Sequence, residues 1–167
     1  MKEILKYLLP AIAFFLLTVS CVEKVDYPLV PDLEYNNFVK IDNGLGYDDK
    51  GILYLGFTDG DGNIGLADGD TFPPFDPQSM YYYNFFVRYF EQQNGTFVEV
   101  ELPFANNARI PVLSENENPL KGEIALELFI NNFTSAFDTV RFEAFITDRD
   151  LNHSDTVSTP PIIIQKP

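Results

Sequence analysis

The chain has no tryptophan, one cysteine, one histidine and few basic residues, with 11 Lys and Arg set against 25 Asp and Glu for a formal net charge of −14. A single cysteine excludes an internal disulfide. A single histidine excludes a multi-histidine zinc centre. No nucleophile-elbow motif supplies a serine for His153 to activate, so His153 reads as a solvated loop residue. The shortage of cations argues against a phosphate-binding surface, and no nucleic-acid partner is expected. It equally argues against adsorption to anionic lipid by charge. There is no internal repeat, no low-complexity tract and no long pattern of period 3.6. Acidic loop residues are so numerous that no one carboxylate pair stands out for glycoside hydrolysis. A non-catalytic protein is the expectation, with a glycan-acting hydrolase as a remote alternative.

The N-terminus carries Lys2 and Lys6, then an apolar run from Tyr7 to Leu17. About eleven residues are too few to span a bilayer core of about 30 Å, but they suit the hydrophobic region of a secretory signal. Thr18-Val19-Ser20-Cys21 follows directly. A small residue just before cysteine, after an apolar stretch, resembles the lipobox of bacterial lipoproteins, although Thr18 stands where leucine is commonest. The resemblance implies cleavage before Cys21, diacylation of its sulfur and acylation of the new amino group (palmitate among the chains), which anchors the chain in a membrane. The alternative is an ordinary signal peptide with an incidental cysteine. Val22 occupies the place where, in some bacteria, aspartate retains lipoproteins at the inner membrane, so the outer membrane is implied. Glu23, Lys24 and Asp26 resemble the acidic tract that sends some lipoproteins to the cell exterior, and both periplasmic and cell-surface faces stay open. The expected organisation is a signal peptide over residues 1–20, a lipidated cysteine and flexible tether over 21–37, and one folded domain over 38–167. Without residues 1–20, which remove Lys2, Lys6 and Glu3, the net charge is −15.

From Phe38 onward the apolar period is two, which predicts strands. A first strand is expected near Phe38–Asp42. Ile52–Thr58 puts Leu53, Leu55 and Phe57 on one face. Tyr81–Glu91 is a long aromatic strand, closed by the hairpin signal Asn94-Gly95. Val98, Val100 and Leu102 alternate after it. Gly122–Ile130 places Ile124, Leu126, Leu128 and Ile130 inward. Thr139–Thr147 does the same with Val140, Phe142, Ala144 and Ile146. Thr156–Gln165 is a last strand, which Pro160 and Pro161 confine to an edge or a bulge. Seven short antiparallel strands predict an all-β sandwich. The terminal run TVRFEAFITDRDLNHSDTVSTPPIII resembles the last hairpin of immunoglobulin-like and fibronectin-III-like domains, which implies that fold without its disulfide. FTDGDGNIG, followed by a Pro-rich loop and an aromatic strand, resembles lipoproteins common in Bacteroidota. Asp138-Thr139-Val140 and Asp155-Thr156-Val157 resemble an O-glycosylation sequon of that group, and equally fit ordinary strand starts.

Asp59-Gly60-Asp61-Gly62-Asn63-Ile64-Gly65 alternates oxygen-bearing side chains with glycines. Calcium takes six to eight hard oxygen ligands, and alternate residues of a tight loop can converge on one centre. The segment resembles the start of an EF-hand loop, with Asp70 at the twelfth position, but Ile64 replaces the required glycine. A fibronectin-like strand order brings three loops to one end: Asp59, Asp61, Asn63, Asp68 and Asp70 on the first, Glu115 and Glu117 on the second, and Asp148, Asp150, Asn152 and Asp155 on the third. Asp148-Arg149-Asp150 also resembles the acidic clusters of calcium-dependent sandwich adhesins. Two readings are open: a calcium site built from these residues, or plain turns in which Asx side chains bond their own backbone.

The aromatic strand is apolar on both faces. If Tyr83, Phe85, Val87 and Tyr89 face the core, then Tyr82, Phe86 and Phe90 face outward. With Phe72 and Phe75 of the preceding loop, they form either a contact platform for a protein or glycan partner or a surface that another part of the chain covers. The expected role is a membrane-anchored interaction module, or alternatively a structural accessory subunit of an outer-membrane complex.

Overall fold

The structure, a computed structural model, describes residues 26–114 and 118–167. Residues 1–20, Cys21, Glu115 and Glu117 lie outside the described residues. The chain forms β1 (Asp32–Asp42), β2 (Asp48–Asp59), β3 (Phe85–Gln93), β4 (Thr96–Glu99), β5 (Leu120–Phe129), β6 (Thr139–Ile146), β7 (Val157–Ser158) and β8 (Ile162–Ile163). All pair antiparallel. One sheet has the order β1-β2-β5, and the other β4-β3-β6-β7 with β8 also on β6. Apolar side chains from both sheets form one core, centred on Leu53, Leu55, Phe85, Leu128, Val140, Phe142 and Ile146.

The alternation predicted for the three regular strands holds. Leu53, Leu55 and Phe57 of β2, Leu128 of β5 with Ile130 just past it, and Val140, Phe142, Ala144 and Ile146 of β6 are all buried. The two sheets meet where Phe38 of β1 stacks on Phe142 of β6, with ring centroids 5.8 Å apart. The β3–β4 hairpin turns on Asn94 (φ 52) and Gly95 (φ 85), the pair of left-handed residues that a two-residue turn of this hand requires.

Three expectations are corrected. The first strand begins at Asp32, not near Phe38, so residues 32–37 belong to the sheet and not to a tether. The register of β1 on β2 slips between Tyr35 and Asn37. That bulge moves the core-facing series from Leu33 and Tyr35 to Phe38, so the apolar residues do not keep one parity and the period-two signal is lost. The described strands number eight rather than seven, because Pro160 and Pro161 split the last one. Thr159 spans the break: its N–H donates to Phe142 O, and its Oγ1 accepts from Phe142 N–H at 3.1 Å. Finally, the aromatic strand starts at Phe85. Met80–Tyr82 form a single 3-10 turn, with Ser79 Oγ accepting from Tyr81 N–H.

Removing the ring that joins the sheets leaves a cavity on both sides of the interface. Phe142→Ala is expected to cost about 3–5 kcal/mol, read as a lower urea midpoint with an unchanged denaturant slope.

Candidate functional site

The strand order sends the β2–β3, β4–β5 and β6–β7 connections to one pole, and direct contacts show two of these loops joined there. Asp59 ends β2 fully buried. Its Oδ2 accepts from Ile64 N–H at 3.0 Å, which closes residues 59–64 into a tight loop. Gly62 (φ +73) makes the return, and a Cβ there would collide with Asn118 O. Ile64 and Leu66 are buried and draw the loop down onto the core.

The β6–β7 loop comes across to meet it. Asp148 is buried, with Oδ1 accepting from Asn152 N–H at 2.8 Å and Oδ2 accepting from Asn152 Nδ2 at 2.7 Å. Asn63 Nδ2 donates to Asp61 Oδ2 at 3.2 Å and to Asp150 Oδ2 at 3.1 Å, so it bridges the two loops. Arg149 donates to Asp70 Oδ2 at 2.6 Å and to Gly65 O, and its guanidinium lies 5.8 Å from the Phe75 ring centroid.

Five of the eight residues proposed as oxygen ligands therefore come together: Asp59, Asp61, Asn63, Asp148 and Asp150. Three are placed differently. Asp70 is taken by Arg149 and by Ala67 N–H. Asn152 uses its amide to hold Asp148. Asp68 is exposed. Among the described residues, no group of three or more His, Cys, Asp or Glu side chains could hold a metal ion. Among those residues, Asp59 Oδ1 and Asn63 Oδ1 are buried without a hydrogen-bond partner.

The electrostatics follow from this placement. Burial pushes the Asp59 carboxyl up to about 6, Ile64 N–H opposes the rise, and the neighbouring Asp61 and Asp148 carboxyls add to it. Asp70 moves the other way, held below its ordinary range by the Arg149 hydrogen bond, and Arg149 rises in turn.

The outward aromatic platform is overturned in part. Phe86 and Phe90 are buried. Phe86 stacks on Phe145 at 4.7 Å, and Phe145 stacks on His153 at 5.5 Å. Phe90 lies under Arg88 and Arg141. The cover thus comes from the β6–β7 loop and from arginine side chains. His153, although exposed, is one of its pieces. Of the other proposed contacts, Phe72 is 76% exposed, while Phe75 and Tyr82 are half-buried beside Arg149 and Arg109.

Arg109 carried no signal in the sequence. It donates to Tyr82 O, Ala67 O and Asp70 O, and so fastens the long β2–β3 connection to the β4–β5 segment. Asn84 helps by exchanging two hydrogen bonds with Ile110. Neither position belongs to a pattern, since each works through partners more than 25 residues away. Compared with known proteins, the chain matches no family model, no curated protein and no solved structure.

A carboxyl whose folded pKa lies above its unfolded value binds protons more tightly when folded. Its contribution to stability is therefore lost as pH rises from about 4 to about 6. In chelator-containing buffer, Asp59→Asn is expected to raise stability at pH 7 by about 1–3 kcal/mol. The difference should vanish below about pH 4, as checked by urea unfolding of both proteins across that range. Gly62→Ala should cost about 1–3 kcal/mol in the same assay.

Proposed function

We propose that this chain is a secreted lipoprotein of the outer membrane, anchored through Cys21, whose immunoglobulin-like, fibronectin-III-like sandwich acts as a non-catalytic binding module for a protein or glycan partner. The strand order supports the fold assignment: three strands in the order β1-β2-β5 face β4-β3-β6 with the split last strand, and the terminal hairpin residues lie on β6 to β8. The apolar run and the Thr18–Cys21 sequence support the anchor. Among the described residues no helix is long and apolar enough to cross a membrane.

One observation carries the orientation. Gly60 N–H donates to Pro28 O at 2.8 Å, so the chain is already fastened to the loop pole seven residues after Cys21. Seven extended residues reach about 25 Å, half of what a tether running to Asn37 would allow. An anchor at Cys21 therefore holds the loop pole toward the membrane and the opposite pole away from it.

That opposite pole carries Leu45 on the β1–β2 turn and Phe133 and Phe137 on the β5–β6 connection, all exposed, with Tyr47 and Phe133 in edge-to-face contact at 5.7 Å. Exposed apolar groups of this kind suit a partner surface. The accessory-subunit reading draws on a separate feature, Phe104 and Phe129 side by side and exposed along the β5 edge.

In cells, Cys21→Ser should move the protein from the membrane fraction to the soluble fraction and abolish labelling by a palmitate analogue. With the anchor intact, photo-cross-linkers at Leu45 or Phe133 should give discrete adducts that a cross-linker at Asp68 does not. Retention of Cys21→Ser in membranes ends the anchor reading. Adducts only from position 68 end the assignment of the contact pole.

A further inference from the structure

We propose that the outer edge of β5 is a strand-addition site, which pairs with an extended, lysine- or arginine-bearing segment of a partner polypeptide. The ladder fixes which groups are free. Ile130 N–H donates to Asp49 O, so the even-numbered residues of β5 turn their N–H and C=O toward β2. The odd-numbered residues turn theirs away from it. At Phe129 the outward pair is met by one side chain: Asn106 Oδ1 accepts from Phe129 N–H, and Asn106 Nδ2 donates to Phe129 O, both at 3.0 Å. That amide stands where a peptide group of a next strand would stand. Beyond it, among the described residues, no backbone group bonds the N–H or C=O of Glu127, Ala125, Glu123 or Lys121.

The core is unfinished along the same edge. Leu126 and Ile124 lie opposite Leu53 and Leu55 in the ladder and pack against the same core. Leu53 and Leu55 are 1% exposed, whereas Leu126 and Ile124 are only half-buried. The cause is position, since β2 has a strand on each side and β5 has one. The opposite flank of the sandwich is closed, because β1 and β7 touch. Sheet edges are commonly blunted by proline, a bulge, short length or an inward charge. β5 is ten residues long, has no proline, keeps a continuous register on β2 and turns Lys121, Glu123 and Glu127 to the outer face.

Charge selects the occupant. Glu123 and Glu127 flank Ala125 and are exposed, and Glu99 and Glu101 are exposed on and just past β4, the other strand edge on this flank. Lys50 pairs with Glu127 and Arg88 with Glu99, but Glu123 is bonded by the neutral Asn36 amide. A cationic side chain opposite Glu123 forms a cross-strand pair, and an acidic one meets like charge. A second copy of this chain is therefore a poor occupant: antiparallel pairing about Ala125 sets Glu123 of each copy against Glu127 of the other, between chains of net charge −14. The complement is a strand with apolar side chains over Ile124 and Leu126, alternating with basic ones beside Glu123 and Glu127. Main-chain bonds then give affinity and side chains give selectivity. This rests on the binding-module reading only in taking the partner to be a polypeptide. The flank lies apart from the pole that carries Leu45 and Phe133, so loss of cross-linking there leaves this site standing.

The test uses the full chain in detergent and a synthetic peptide of alternating valine and lysine, followed by calorimetry and amide hydrogen exchange. The amides of Glu123, Ala125 and Glu127 are expected to exchange fast in the free chain and to gain protection in the complex. A valine–glutamate peptide should bind about tenfold more weakly. The valine–lysine peptide N-methylated at every residue keeps its charge, cannot donate and should not bind. Ala125→Pro removes one outward donor and no ladder bond, so it should fold and lose binding. If circular dichroism shows that variant unfolded, Glu123→Lys, at an exposed position, decides by shifting the preference toward the glutamate peptide. No binding of the valine–lysine peptide overturns the site. So does binding undiminished by N-methylation, protection gained only on other strands, or protection of the three amides already present in the free chain. A concentration-dependent dimer that protects them makes a second copy the occupant and ends the assignment of a basic partner.

Discussion

The eight residues of β6 bind the molecule together because both faces and both edges of this strand are used. Its inner face, Val140, Phe142, Ala144 and Ile146, is at most 1% exposed. One edge pairs with β3 and the other with β7 and β8. The outer face is covered as well: Phe145 lies between Phe86 and His153, and the Arg141 guanidinium lies over Phe90 and Phe97 while bonding Glu143. Burial on this scale, at about 25 cal/mol per Å² of apolar surface, is the chief favourable term in a β fold of this size. It also fixes where β6 ends, and hence where Asp148, Arg149 and Asp150 stand.

A pole this acidic persists because its carboxylates are held apart by specific donors. Asp148 is bonded by Asn152, Asp70 by Arg149 and Ala67 N–H, and Asp59 by Ile64 N–H. Three of these donors are backbone amides, which carry no net charge and keep the site negative. Arg149 is the exception, and its position has a structural effect: by bonding Asp70 and Gly65 O it joins the β6–β7 loop to the β2–β3 loop. Arg109 performs the same task between the β2–β3 and β4–β5 segments. Two cations among many carboxylates are thus spent on holding loops in place, and Asp59 and Asp61 are left facing each other.

The regular strands were legible because one face of each is wet, as in β6, where Arg141 and Glu143 alternate with buried residues. Sharing of one pole by Asp59 and Asp150 also followed from the fibronectin-like strand order that the resemblance implied. What escaped has physical causes. The Asn36 bulge shifts the inward parity of β1. The second apolar face of β3 looked like a platform, because nothing local reveals that His153, more than sixty residues later, stacks over Phe145 and closes it. The division of roles was equally hidden: Asp70 and Asp61 are identical residues in similar turns, but the tertiary approach of Arg149 gives Asp70 an ion pair while Asp61 is bonded by its neighbour Asn63.

The proposed anchor and the acidic pole constrain each other. A membrane rich in anionic headgroups repels a negative surface over about one Debye length, roughly 8 Å at physiological ionic strength. Seven residues from Cys21 to Pro28 would reach about 25 Å when extended, so an anchored domain need not press its carboxylates against the headgroups. So anchored, it would stand off, with the loop pole toward the bilayer and the exposed Leu45, Phe133 and Phe137 on the far side. On this arrangement the tether sets the maximum distance, and the charge on the loops sets how much of it is used.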